Sequence, residues 1–395
     1  MPTRPSTSPE VPRRDRRRTG AAVVSLLAAT AVVLAACSSS PSASTTTTQK
    51  SSTTTAPAVT PASLEQWPTS AVSLQETGSS LLYPLFNDWT ADIQHQWPTV
   101  SITTASTGSG TGISSAAAGT VNIGASDAYL SPGQVAQYPG LLNIPLAISA
   151  QEIAYNVPGV TGHLKLDGPV LASIYQGKIT NWNASQIEAL NPGVTLPNLP
   201  IVTVHRSDSS GDTFLFSSFL SSSDPSGWTI PPGTTVSWPN VTGAVTAQGN
   251  GGMVQACQKS SGCIAYIGVS YLSQVTAAGL GYAQLKNKAG NYELPTQSAI
   301  AAAAQQFASS TPATGAVSMI FGSASGGYPI VNYEYAIVPT KQPSALAAQA
   351  VKAVLGWAID PTGGSASTYL DKVDFVALPS AVVTLSAKLI SGVSS

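Results

Sequence analysis

Along this chain one local pattern of polar and apolar residues recurs. An alternating run comes first, then a turn of small hydroxyl and glycine residues, then a segment with helical spacing. Val72-Ser73-Leu74 alternates as a strand, Glu76-Thr77-Gly78-Ser79-Ser80 is the turn, and Leu81 to Trp89 opens a helix. Pro84 falls in the first turn of that helix, where a missing N–H costs little. Val100-Ser101-Ile102-Thr103 is the next strand, Thr107-Gly108-Ser109-Gly110-Thr111-Gly112 the next turn and Ile113 to Ala118 the next helix. Thr120 to Ala128 reads as a buried strand ending on the carboxylate of Asp127. A third turn, His205 to Asp212, precedes a helix from Thr213 to Ser222. In the middle of the chain Val170, Leu171 and Ile174 share one helix face, and Ile187 and Leu190 another. Tyr333-Tyr335-Ile337 alternates as a strand. A helix from Ser344 to Ile359 carries Leu346, Ala350, Val354 and Trp357 as a core stripe.

The first 71 residues follow other rules. Six arginines lie in the first twenty residues, followed by an apolar run from Ala21 to Ala36. A charged stretch and a short apolar stretch make a signal peptide rather than a membrane span. The run closes on Leu34-Ala35-Ala36-Cys37, which resembles a bacterial lipobox with Cys37 as the acylated first residue of the mature chain. Ser38 to about Pro61 is mostly Ser, Thr, Pro and Ala, too poor in large apolar side chains to fold alone. Residues 37–71 are therefore read as a flexible tether, with Leu64 to Ala71 counted in it.

Removing the leader changes the charge balance. It takes six of 17 basic and two of 18 acidic residues, leaving 11 and 16 and a net charge of −5. That balance argues against nucleic acid or an anionic membrane surface as partner. About 325 residues remain beyond the tether, enough for two lobes. In an exported chain Cys257 and Cys263, six apart, read as a local disulfide in preference to a zinc site or a catalytic thiol. No metal or other cofactor is expected.

The three turns suggest anion chemistry. Free N–H groups and the positive end of the dipole favour an anion at a helix start. Arg206, the only arginine beyond the leader, adds a planar fork of donors. Asp208 and Asp212 in the same turn would repel an anion, unless the anion carries protons that a carboxylate can accept. Phosphate at neutral pH does, and sulfate does not. The same residues also fit a plain cap, with Asp212 or Ser210 at the helix start and Arg206 paired to Asp208. The glycine turns match neither the dinucleotide fingerprint nor a P-loop.

Four ordered segments carry a family resemblance: Thr77 to Pro84, Thr107 to Gly110, Asn122 to Ala128 and His205 to Thr213. Further matches are Ile174 to Trp182, Ala189 to Gly193, Ile264 to Gly268 and Asn332 to Val338. Together they resemble the phosphate-binding proteins of bacterial phosphate ABC transporters, in their lipid-anchored form, from about Leu74 to Leu389. The resemblance implies an α/β, two-lobed periplasmic-binding-protein-like fold of type II, with the ligand cleft between lobes joined by two crossover strands. The crossings are expected near Ile144 to Ala150 and Tyr328 to Val331. Lobe I would comprise residues 72–147 and 330–395, and lobe II residues 148–329.

Carried over by motif, the implied phosphate contacts are Ser79, Ser80, Leu81, Leu82, Ser109, Asp127, Arg206, Ser210, Gly211 and Asp212. The first turn would act through backbone N–H groups and the Ser80 hydroxyl. Leu82 stands where many relatives have threonine, so its backbone N–H is the expected contact. Ser109 and Ser210 would donate hydroxyls, Gly211 its N–H, and Asp127 and Asp212 would accept protons from phosphate. Arg206 would pair with the anion and with Asp127. The implied partners are inorganic phosphate and the permease subunits with their ATPase. The membrane would be met through the lipid anchor only, on the extracytoplasmic face. Binding of another oxyanion and a surface interaction role remain alternatives. A serine hydrolase is disfavoured, since Gly124-Ala125-Ser126-Asp127-Ala128 is a poor nucleophile elbow, and a phosphatase lacks its metal cluster.

Overall fold

The computed structural model describes residues 59–395; the leader, Cys37 and most of the tether lie outside them. After α1 (Pro61–Leu64) come β1 (Val72–Gly78), α2 (Tyr83–Gln96), β2 (Val100–Thr103), α3 (Ser109–Ala117), β3 (Ile123–Ser126) and α4 (Pro132–Gln137). The long strand β4 (Leu141–Tyr155) follows, then β5 (Lys165–Leu166), α5 (Gly168–Tyr175), α6 (Ser185–Leu190), β6 (Val202–Arg206) and α7 (Gly211–Ser223). Next are β7 (Val245–Ala247), α8 (Gly249–Lys259), β8 (Cys263–Gly268), α9 (Leu272–Ala277), β9 (Gly281–Tyr282), β10 (Gln284–Lys286), β11 (Tyr292–Glu293) and α10 (Gln297–Gln305). The chain closes with β12 (Val331–Pro339), α11 (Ala345–Ile359), α12 (Ser367–Leu370) and α13 (Ser380–Ser391).

The main sheet runs β2-β1-β3-β12-β4-β8-β6-β7. β1 is parallel to β2 and β3, as strand–turn–helix repeats require, whereas β12 returns antiparallel beside β3. β4 joins the two lobes. Leu141–Ala150 pairs with β12 on the side of β1–β3 (lobe I), and Gln151–Tyr155 pairs with β8 on the side of β6 and β7 (lobe II). At the change of partner the two crossings touch: Gln151 N–H donates to the Ile330 carbonyl at 3.1 Å, and Tyr328 Oη–H to the Gln151 carbonyl at 2.9 Å.

Three expectations shift against this fold. Residues 59–71, counted with the tether, are packed. Thr60 caps α1 in a capping box, Leu64 is buried, and Trp67 stacks on Trp97 with ring centroids 3.7 Å apart. Two large apolar side chains after a capped proline give this short piece surface to bury. Second, α3 starts at Ser109, four residues before Ile113, and its glycines allow close approach on two sides: a Cβ on Gly112 would lie 2.5 Å from the Ala125 carbonyl oxygen of the sheet, and one on Gly110 would collide with Ser209. Third, α11 has more than a stripe. From Ala353 to Ile359 every residue is buried, since α1, α13 and β1 all pack on this helix. Cys257 and Cys263 form a disulfide linking the end of α8 to β8.

Candidate anion-binding site

The three turns picked out in sequence meet where the lobes touch, and a fourth joins them. β1 ends on Gly78 at φ +145°, a conformation suited to glycine, with the Ala125 backbone against its Cα. The Ser79 N–H is used by the Ala125 carbonyl at 3.0 Å, so Ser79 contributes its hydroxyl. That hydroxyl accepts from the N–H groups of Leu81 (3.0 Å) and Leu82 (2.9 Å) and donates to the Asp127 carboxylate. Both leucine side chains are buried, Leu81 against Gly268 of lobe II. The Leu81 carbonyl accepts from Ser270 Oγ at 2.7 Å. Ser80 Oγ accepts from Asn250 N–H (3.1 Å) and Nδ2 (3.0 Å), which leaves its own hydrogen to donate elsewhere.

The second turn enters α3 through Gly108, at φ +94°. Gly110 N–H donates to the Ser209 carbonyl of lobe II at 3.0 Å. Ser109 Oγ accepts from Asp127 N–H at 3.2 Å and donates to Asp127 Oδ2 at 3.3 Å. Asp127 is 1% exposed, just beyond the end of β3. Burial pushes its carboxyl well above the ordinary carboxylate range, Glu334 and then Asp212 push it further, and the Ser79 hydroxyl opposes them.

The lobe II side is built differently. Arg206, the last residue of β6, is 5% exposed. Its Nε donates to Asp208 Oδ1 at 2.7 Å, Nη2 to Asp208 Oδ2, and Nη1 to Asp212 Oδ2 at 2.7 Å. The expected pairing with Asp127 does not form. Asp208, two residues on, takes the fork of the guanidinium, and Asp212 in the first turn of α7 takes the remaining edge. Burial works against the charge of Arg206, but the bonds and charges of the two carboxylates outweigh it. Asp208 is held below its ordinary value because Arg206 outweighs its partial burial. Burial raises Asp212 in spite of Arg206, which is shared with Asp208, itself a negative neighbour.

Asp212 also receives Gln151 Nε2 at 3.1 Å and Asn250 Nδ2 at 2.8 Å. The expectation that it takes a proton from the anion thus meets three protein donors already on its carboxylate. Ser210, and not Asp212, caps α7 through Thr213 N–H at 3.4 Å. Gly211 brings the lobes together: a Cβ there would collide with Asp127 Oδ2 and lie 2.6 Å from Ser109 Oγ.

All ten expected residues therefore gather in one buried cluster. Three more belong to it. Asn250 had a legible signal, since Gln248-Gly249-Asn250-Gly251-Gly252 is another glycine turn between a strand and a helix. Gln151 and Glu334 sit inside long strands with no turn to mark them.

Residues 39–362 match the PBP superfamily domain. A phosphate-binding protein PstS of Xylella fastidiosa is 33% identical over 308 residues, which cover 77% of this chain and 82% of that one. The chain belongs to the PstS family of phosphate-binding proteins within the PBP superfamily. A further PstS relative, PstS2 of Mycobacterium bovis, is 31% identical over 300 residues, 73% of this chain and 77% of that one. Two solved structures share the fold. One is a phosphate-bound, high-affinity periplasmic phosphate-binding protein with a TM-score of 0.64 at 21% identity, covering 79% of this chain and 92% of that one. The other, a phosphate ABC transporter substrate-binding protein of Clostridium perfringens with bound phosphate, has a TM-score of 0.55 at 18% identity and covers 78% and 100%. Among the described residues no helix is long and apolar enough to cross a membrane.

Proposed function

We propose that this protein binds inorganic phosphate between its lobes and delivers it to the permease of a phosphate ABC transporter. Family membership supports the solute; the arrangement around Asp127 supports the way it is recognised. Asp127 is a buried carboxylate held by two serine hydroxyls and touched by Gly211 of the other lobe, with the arginine turned away from it. Such a group suits an oxyanion that brings its own proton. The Ser80 hydroxyl, the Gly211 N–H at the start of α7 and the two guanidinium hydrogens of Arg206 beyond the three given to Asp208 and Asp212 are the donors of this reading. Ser109 and Ser210 line it, and Ser79 with the Leu81 and Leu82 N–H groups shapes the first turn. Asp212 acts mainly by holding Arg206 and Asn250. Sulfate, lacking a proton, would face Asp127 with no hydrogen between the two acceptors, at a cost of about 1–3 kcal/mol or more.

Lobes of residues 72–147 with 330–395, and of residues 148–329, would open about the junction of β4 with Tyr328 to Val331. A lipid on Cys37 and the tether beyond it would keep the protein at the extracytoplasmic face of the membrane. The stacking of Trp67 on Trp97 supports a start of the folded part before residue 72.

The test is isothermal titration of the leader-free protein with phosphate, then sulfate, after unfolding and refolding to strip bound ligand. Micromolar or tighter phosphate binding with no sulfate heat is expected. Binding of both would remove Asp127 from the selective role, and binding of neither would sink the phosphate reading.

A further inference from the structure

Glu334 lies directly behind Asp127. In the antiparallel register of β12 on β3, Tyr335 pairs with Ser126 and Ala336 with Ala125, so the next pair along is Glu334 with Asp127. Glu334 is fully buried, and its Oε2 has no protein donor. The carboxyls of Asp127 and Glu334 are neighbours that act on each other's charge.

The hydrogen count around Oε1 calls for a proton. Ser149 Oγ lies 2.7 Å from Asn332 Oδ1 and 2.5 Å from Glu334 Oε1, both acceptors when Glu334 is ionised. A hydroxyl has one hydrogen and cannot satisfy both. Turning the Asn332 amide over is no remedy, because its Nδ2 already donates to Glu334 Oε1 (2.9 Å) and the Tyr333 carbonyl (2.9 Å). Two carboxylates with no cation between them would also repel at full charge.

We propose that Glu334 is a proton-carrying positioning residue of the anion site: it holds a proton on the carboxyl beside Asp127, leaves Asp127 the acceptor, and ties phosphate affinity to that proton. The proposal rests on the phosphate reading above. No bond to the anion is involved; Glu334 acts through Asp127. The groups facing it are Asp127 from β3, Ser149 from β4, and Asp212 from α7, whose charge is shared with Arg206 and Asp208. α3 and α10, which also pack on β12, carry no titratable side chain. Burial, reinforced by Asp212 and opposed by the bonds from Ser149, Asp127 and Asn332, pushes Glu334 up to about 7. Below that pH the proton is held. Above it a second negative charge stands beside Asp127, and an incoming anion is disfavoured.

The test compares phosphate titrations between pH 6 and pH 8 for the wild type and Glu334→Gln, which keeps the shape and a permanent donor. The comparison cancels phosphate's own ionisation. Wild-type affinity should fall up to about tenfold more than that of the variant over this range, the effect of one proton. Equal pH profiles with phosphate still bound would overturn the role of Glu334 and leave the phosphate reading standing. No phosphate binding by the wild type at any pH would remove both. If Glu334→Gln does not fold, Ser149→Ala serves instead. It removes the hydroxyl bonded to Oε1, so the midpoint should move, and an unmoved midpoint overturns the proposal.

Discussion

The two faces of the cleft handle buried carboxylates in opposite ways. On lobe II, Asp208 and Asp212 share one arginine, and Gln151 and Asn250 complete the donors on Asp212. On lobe I, Asp127 and Glu334 sit side by side with hydroxyls and an amide around them and no cation of their own. Taking a charge out of water is costly unless it is paired and hydrogen-bonded, or neutralised by a proton. Lobe II uses pairing, which a change of pH near neutrality barely alters. Lobe I, in the reading proposed above, uses protons, which would make it responsive to pH and receptive to a ligand that carries one. Selectivity should therefore reside on lobe I, and the fixed positive charge on lobe II.

Removing the cation is the harshest way to test this division. Arg206→Ala strands Asp208 and Asp212 in the interior, where breaking a buried pair costs about 3–5 kcal/mol. Phosphate titration should show binding lost, and denaturant unfolding should show a stability loss of that size. An affinity change under about threefold, below ~1 kcal/mol, would make Arg206 structural only.

A wedge comes next. Gly211→Ala leaves both faces intact but sets a methyl group against Asp127 and Ser109. We expect phosphate affinity to fall more than tenfold while the melting temperature moves far less than in Arg206→Ala. Small-angle scattering with phosphate should find the variant more open than the wild type. A variant that binds as the wild type does would mean that the faces need not meet at Gly211.

The contrast between the faces also explains what could be read from the sequence. Strand, small turn, helix is a local pattern, so β1 to α2, β2 to α3 and β6 to α7 were legible, and with them Ser79, Ser109 and the Arg206 turn. Asn250 follows the same grammar, at the start of α8. Glu334 and Gln151 do not. They are single polar residues in the buried strands β12 and β4, and their role comes from which strand lies opposite. Spacing along the chain carries no such register. The choice of Asp208 over Asp127 by Arg206 was hidden for the same reason, because it depends on where β3 and β6 end in space. At the other extreme, Leu64 and Trp67 were visible as apolar residues, yet their packing depends on Trp97 and α11, thirty or more residues away.

On lobe I the direct test is Asp127→Asn. The amide can donate where the carboxylate only accepts, so a protonated oxyanion loses its preference. The discrimination between phosphate and sulfate should shrink by about 1–3 kcal/mol, read as the ratio of their dissociation constants. An unchanged ratio would take selectivity away from Asp127.

The smallest effect separates a site proton from an ordinary buried one. Glu76 on β1 is in the same lobe, 4% exposed, bonded to the Thr104 hydroxyl, and pushed by burial from its ordinary 4.5 to about 8. Because the folded value is the higher one, the folded state holds a proton that the unfolded chain has lost between these limits. Its contribution to stability is full below about pH 4.5 and declines as pH rises, by up to about 1.4 kcal/mol per unit, until about pH 8. Glu76→Gln should make the loss of unfolding free energy between pH 5 and pH 8 shallower than in the wild type. Its phosphate affinity should keep the wild-type pH profile, because Glu76 makes its bond to Thr104 and not to the Asp127 pair. A flattened binding profile in Glu76→Gln would show that any buried carboxyl of lobe I can set the affinity, and the special place of Glu334 behind Asp127 would be lost.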